Sequence, residues 1–129
     1  MLGVAKARHV VKSFHPDAAI GTGGYVCGPI LLAASLAGVP TLIQEQNVVP
    51  GITNKILSRF VTKIAAGTEE AVRLFPAEKT TFTGNPIRRE VLTARREDGL
   101  KAYGFSADKP VVLVSGGSRG ARSLNRAMV

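Results

Sequence analysis

Two glycine-rich stretches are the first places where this sequence could do chemistry. In "GTGGYVCGP" (21–29), Gly23 and Gly24 permit positive φ, and Tyr25 could stack on a ligand or donate a hydrogen bond. In "VVLVSGGSRGARSLN", an apolar run meets Gly116 and Gly117 and then a helix start, where free N–H groups and the helix dipole suit a phosphate. Ser118 could cap that helix or donate its hydroxyl to a phosphate oxygen. Neither stretch has the G-x-G-x-x-G or Walker A spacing, so each reads equally as an ordinary strand-to-helix turn. Between them lies "QEQNVVPGITN". Its Gln44, Gln46, Asn47 and Asn54 carry amides that could orient sugar hydroxyls, or simply tie down backbone groups. Glu45 is the carboxylate here placed for acid–base work, with a structural role equally open. In "TGNPIRRE", Arg88 or Arg89 could grip a phosphate bidentately or form a basic surface. Arg119, Arg122 and Arg126 read as a solvated helix face. His9 and His15 lack ligand-like spacing, and Cys27 has no adjacent histidine or second cysteine, so no metal site is expected.

These residues need a frame. Val4, Ala7, Val10, Val11 and Phe14 recur at helical spacing, which predicts a helix over 3–14 ending at Pro16. "DAAI" reads as a buried strand. A helix over 29–37 follows, apolar on all sides and therefore buried, with Gly38 placed to cap it. "TLIQ", "KIAAG" and "TTFTG" read as further strands. "ITNKILSRF" and "TEEAVRLF" read as helices, the second with Thr68 as N-cap. This alternation predicts an α/β fold with a Rossmann-like parallel sheet and helices on both faces. From 86 to 109 the composition turns basic and polar, which predicts a linker. "VVLVS" then reads as a fresh buried strand, followed by a glycine turn and a helix. The expected organisation is a partial domain over 1–85, a linker over 86–109 and the start of a second domain over 110–129.

The totals narrow the class. The chain has 129 residues, one cysteine and a net charge of +8, with a pI near 10.3. That balance favours anionic partners: nucleic acid, phosphorylated ligands or anionic lipid. A single cysteine allows no internal disulfide and fits a reducing compartment. The longest apolar run, 29–40, is about half the ~20 residues a membrane span needs, and the N-terminal stretch lacks a signal-peptide core. A cytoplasmic, soluble chain that could rest on a membrane surface is expected.

In this order, "GTGGYVCGP", "EQNVVPGITN", "GNPIRRE" and "GGSRGARSLN" closely resemble the MurG family, the UDP-N-acetylglucosamine (UDP-GlcNAc) transferases of bacterial peptidoglycan synthesis. The resemblance runs over essentially all 129 residues. It implies a GT-B glycosyltransferase with an acceptor-binding N-terminal domain and a donor-binding C-terminal domain. Such an enzyme moves N-acetylglucosamine from UDP-GlcNAc to lipid I, forming lipid II with inversion at the anomeric carbon. It works peripherally at the cytoplasmic face of the membrane, with no cofactor and no metal. Carried over by position, Asn47, Arg88 and Ser118 match family positions for UDP-GlcNAc. Gly23, Gly24 and Tyr25 match the loop facing the acceptor diphosphate of lipid I. Glu45, Gln46, Asn54, Gly116 and Gly117 would support them.

The family usually has His at Gln44, Ser at Cys27 and often Gln at Arg119. Its general-base histidine is expected upstream of Met1 and its uracil pocket beyond Val129, so the chain alone is expected to be inactive. Another GT-B enzyme or a UDP-GlcNAc 2-epimerase would share fold and nucleotide. A basic nucleic-acid-binding domain would share the charge. Aromatic residues make up only 5% and the cations are scattered, so no nucleic-acid partner is expected.

Overall fold

Periodicity of three and four in the first stretch does produce a helix, α1 (Leu2–Phe14), and of its apolar positions Ala7 and Val11 are buried. The structure is a computed structural model that describes residues 2–116 and 121–128. The chain divides into two compact units, Met1–Pro86 and Ile87–Val129. In the first unit α1 leads into β1 (Ala19–Gly21), α2 (Cys27–Leu36), β2 (Thr41–Glu45), α3 (Ile52–Leu57), β3 (Lys63–Ala66) and α4 (Glu69–Val72). A single 3-10 turn (Ala77–Lys79) and β4 (Thr80–Phe82) complete it. The second unit holds α5 (Arg89–Thr93), α6 (Arg96–Tyr103) and α7 (Arg122–Ala127).

The four strands form one parallel sheet in the order β1-β2-β3-β4. Register pairs Ala19 with Thr41, Ile43 with Ile64, and Ala66 with Phe82. Side chains alternate across a strand, so Ala19, Ile43, Ile64 and Ala66 share one face. That face carries the core. Leu31 of α2, Ile43, Ile64, Leu57 of α3, Val61 and Phe75 form one cluster; Ala7, Val11, Ala33 and Ala34 form another, and Ala19 touches both. Burying each of the large aliphatic side chains contributes about 1.5–3 kcal/mol.

Helices on both faces were the expectation, and both clusters instead lie on one. The reason is handedness. Parallel strands taken in sequential order and joined by right-handed crossovers put every connecting helix on the same side. Ile20, one residue out of phase with Ala19, is exposed.

Helix α2 also departs from its expected all-round burial. Leu31, Ala33 and Ala34 are buried, but Leu36 is 70% exposed. Its end is as read from the sequence. Gly38 has φ +77, its N–H donates to Ser35 O (3.1 Å), and Val39 N–H donates to Ala34 O (3.0 Å). This satisfies the last carbonyls of the helix. Thr68 caps α4 by accepting a hydrogen bond from Ala71 N–H at 3.2 Å. No helix among the described residues is long and apolar enough to cross a membrane.

In the second unit, α6 ends at Gly104 (φ +67), and Tyr103 stacks on Phe105 with ring centroids 6.1 Å apart. The strand expected at "VVLVS" is not formed. Val111 to Val114 are exposed, Leu113 by 87%, and the four strands of the sheet all belong to the first unit. An apolar run becomes a strand only when a neighbour takes its backbone N–H and C=O groups, and the described residues of the second unit offer none.

The one-sided packing of α2 can be measured. Leu31→Ala should cost about 2–5 kcal/mol, whereas Leu36→Ala should stay within about 0.5 kcal/mol. Urea denaturation of both variants checks this, and equal losses would contradict the burial described.

Candidate functional site

Ligands of parallel α/β sheets sit beyond the carboxyl ends of the strands. Here two loops meet at that edge. The loop after β1 brings Thr22 to Tyr25, and the loop after β2 brings Gln46, Asn47 and Gly51, followed by Thr53 and Asn54 of α3. Together they line a cleft of about 260 Å³.

Glu45 builds the second wall. It ends β2 in phase with Ile43, so its side chain enters the layer between sheet and helices, and it is 1% exposed. Its carboxylate accepts four hydrogen bonds. Oε1 takes the backbone N–H and the Nδ2 of Asn47, both at 2.9 Å; Oε2 takes the backbone N–H of Gly51 at 3.1 Å and Nδ2 of Asn54 at 2.9 Å. Burial by itself pushes a carboxyl up, but these donors together outweigh it and hold Glu45 below its ordinary value. This geometry favours the structural role for Glu45 over the acid–base role considered from the sequence. A general base needs a free lone pair within reach of its proton, and Glu45 is sealed and fully engaged. It acts as scaffold for the loop between β2 and α3. Asn54 is itself buried, and its Oδ1 has no partner among the described residues. Asn47 spends Nδ2 on Glu45 and keeps Oδ1 as an acceptor at the cleft lining.

The first wall is the glycine loop. Gly23 and Gly24 have φ +102 and +77, conformations that side chains rarely adopt. No protein acceptor among the described residues takes their N–H groups. Cys27 Sγ donates to Gly24 O at 3.0 Å, which pins the loop to the start of α2. Tyr25 is 84% exposed. The arrangement offers donors, amides and an exposed aromatic ring, a set suited to an oxyanion next to a polar, hydroxyl-rich group.

The structure thus gathers Gly23, Gly24, Tyr25, Gln46, Asn47, Asn54 and Glu45 around one cleft. Arg88 belongs to the second unit, where it precedes α5 with an exposed side chain. Gly116 lies in the same unit, where a Cβ would overlap Ala121. Gly117, Ser118 and Arg119 lie outside the described residues. Sequence reading missed Thr22 and Thr53 as lining residues, because 31 positions separate them and only the pairing of β1 with β2 brings their loops together. It also missed the partnership of Gln44 with Asn85, whose amides meet at 3.1 Å across the sheet edge. No group of three potential metal ligands occurs among the described residues.

Comparison with known proteins fits this geometry. Residues 1–66 match the glycosyltransferase family 28 N-terminal domain. The chain is 55% identical over 130 residues to a protein of Thermoanaerobacter sp. (strain X514), covering 100% of this chain and 36% of that protein. It is 52% identical over 127 residues to one of Bacillus subtilis (strain 168), covering 98% and 35%. Both relatives are named UDP-N-acetylglucosamine–N-acetylmuramyl-(pentapeptide) pyrophosphoryl-undecaprenol N-acetylglucosamine transferase. The chain therefore spans about a third of the length of the curated relatives it matches. Among solved structures it superposes on Acinetobacter baumannii MurG with TM-score 0.67 at 38% identity, covering 97% of this chain and 32% of that one. A UDP-N-acetylglucosamine 2-epimerase from Rickettsia bellii shares the fold alone, with TM-score 0.57 at 21% identity over 81% of this chain and 33% of that one.

The role of Glu45 has a pH signature. Glu45→Gln places an amide N–H₂ among buried donors and should cost about 2–3 kcal/mol near pH 7. A carboxyl lowered by folding contributes stability that is fully present above its unfolded value, about 4.3, and is lost as pH falls through the lower folded value. The gap between wild type and variant should therefore narrow below that range. Denaturation at a series of pH values tests it, and a gap that stays constant into strong acid would refute the assignment.

Proposed function

From the premise that this chain belongs to glycosyltransferase family 28, we propose that it is part of the enzyme that transfers N-acetylglucosamine from UDP-GlcNAc to lipid I, forming lipid II. One observation carries the reading: Gly23 and Gly24, whose N–H groups have no protein acceptor among the described residues, line one cleft with an amide-rich loop at the carboxyl edge of a parallel sheet. The identity to relatives bearing that activity in their names, 50–55% across nearly the whole chain, supports it.

On this reading residues 1–85 are the acceptor side. Gly23 and Gly24 N–H groups and the Tyr25 ring receive the diphosphate of lipid I. Asn47 orients the donor sugar through Oδ1, and Arg88 and Ser118 contact UDP-GlcNAc. Segment 86–109 is the linker, and 110–129 opens the donor-binding domain. The acceptor hydroxyl attacks the anomeric carbon of GlcNAc as the bond to UDP breaks, and the hydroxyl proton passes to a base. Inversion follows from this single displacement. Charge growing on the departing diphosphate is stabilised by Arg88 and by helix-terminal N–H groups. Glu45, Gln46 and Asn54 support the acceptor cleft, and Gly116 and Gly117 support the donor contacts.

The acceptor is lipid-linked, so the protein works peripherally at an anionic membrane surface, on the cytoplasmic side. Two features support that. Helix α1 carries Lys6, Arg8 and Lys12 beside exposed Val4, Val10 and Phe14, and the net charge is +8.

A chimera tests the proposal. This 129-residue segment, placed in the Thermoanaerobacter relative in lieu of its matching stretch, should transfer labelled GlcNAc to lipid I, while the segment alone should not. Asn47→Ala in the chimera should raise KM for UDP-GlcNAc about tenfold. A folded but inactive chimera would sink the reading.

A further inference from the structure

Four hydrogen bonds made by three side-chain amides connect the glycine loop to a point 63 residues further along the chain. Gln46 Nε2 donates to the backbone carbonyl of Thr22 at 2.8 Å and to Gln44 Oε1. Gln44 Nε2 donates to Asn85 Oδ1 at 3.1 Å, and Asn85 Nδ2 returns to the backbone carbonyl of Gln46 at 3.3 Å. The direction of every amide follows from the ends. Thr22 O and Gln46 O can only accept, so Gln46 and Asn85 must present N–H₂ to them, and Gln44 must accept from one neighbour and donate to the other. Gln44 is buried, and Asn85 can lie where it does only because Gly67 has no Cβ, which would overlap Asn85 Oδ1.

The consequence falls on the loop. The peptide between Thr22 and Gly23 is trans and planar, so its C=O and N–H lie on opposite edges. Holding the Thr22 carbonyl against Gln46 fixes the direction in which Gly23 N–H is presented. We propose that Gln44, Gln46 and Asn85 form a positioning relay that locks the Thr22–Gly23 peptide plane so that Gly23 N–H stays available to a diphosphate. None of the three touches the reacting atoms; they act through Thr22. The choice of diphosphate rests on the function proposed above, whereas the locking of the peptide does not. A carboxamide supplies one donor and one acceptor together, as a neutral imidazole does.

The experiment is amide NMR of the isotope-labelled 129-residue chain at pH 8, without ligand and titrated with inorganic pyrophosphate. Gln44→Leu should move the Gly23 and Gly24 resonances without ligand and weaken pyrophosphate binding about fivefold, the loss of one net hydrogen bond. Gln44→His, neutral at pH 8, should keep both near wild type, a rescue that a merely volume-filling role would not produce. Asn85→Ala, at an exposed position, should reproduce the Gln44→Leu shifts even where Gln44→Leu folds poorly. Gly23 and Gly24 resonances unmoved in Asn85→Ala, or moved as far by Gln44→His as by Gln44→Leu, would overturn the relay. Wild-type resonances indifferent to pyrophosphate would overturn the diphosphate assignment, and the unliganded shifts would still decide the relay.

Discussion

A carboxylate removed from water survives in a folded chain only where donors replace the water it has lost, and Glu45 sets that demand on everything around it. Four donors converge on it: two backbone N–H groups and two side-chain amides. To deliver them, the chain after β2 must turn back within six residues and α3 must begin directly over the carboxylate. The loop 46–51 is consequently not free to wander, although it has no regular structure. Asn47 and Gly51 are held by the ion beneath them, and Gln46 by its own hydrogen bond to the Thr22 carbonyl.

The same edge is built from the sheet side by different means. The sequential order of four parallel strands places all connecting helices on one face and leaves the carboxyl ends of β1 and β2 adjacent. Glu45, in phase with Ile43, turns toward the helices. Gln44, one residue earlier, turns to the opposite side and meets Asn85. Adjacent residues thus serve two separate networks because a strand alternates its faces: one anchors the loop to α3, the other reaches the glycine loop and the residues after β4. The cleft lies between them, with its donors oriented from both sides.

Much of this was legible in the residues. Helical spacing in α1, the Gly38 and Thr68 caps and the strand–helix alternation follow from local stereochemistry, which needs no partner to act. The glycine loop and the amide-rich loop were visible as unusual compositions at strand ends, and the order of four blocks pointed to a family of glycosyltransferases. The errors share one cause. "VVLVS" has the pattern of a buried strand, yet Val111 to Val114 stand exposed, because a strand is a relation between segments. Helix α2 was apolar enough to be read as buried throughout, but Leu36 near its C-terminal end is exposed.

The sequence by itself determined where the chain can bend, cap and alternate, and which residues carry amides, charge and glycine freedom. Tertiary structure alone decided what those groups do. Whether Glu45 is a base or a strut depends on four donors up to nine residues away, and whether Gln44 is filler or a link depends on Asn85, 41 residues on. Local propensity acts over a few bonds, whereas the ionisation and hydrogen bonding of a side chain are set by whatever folding brings within about 3 Å of it.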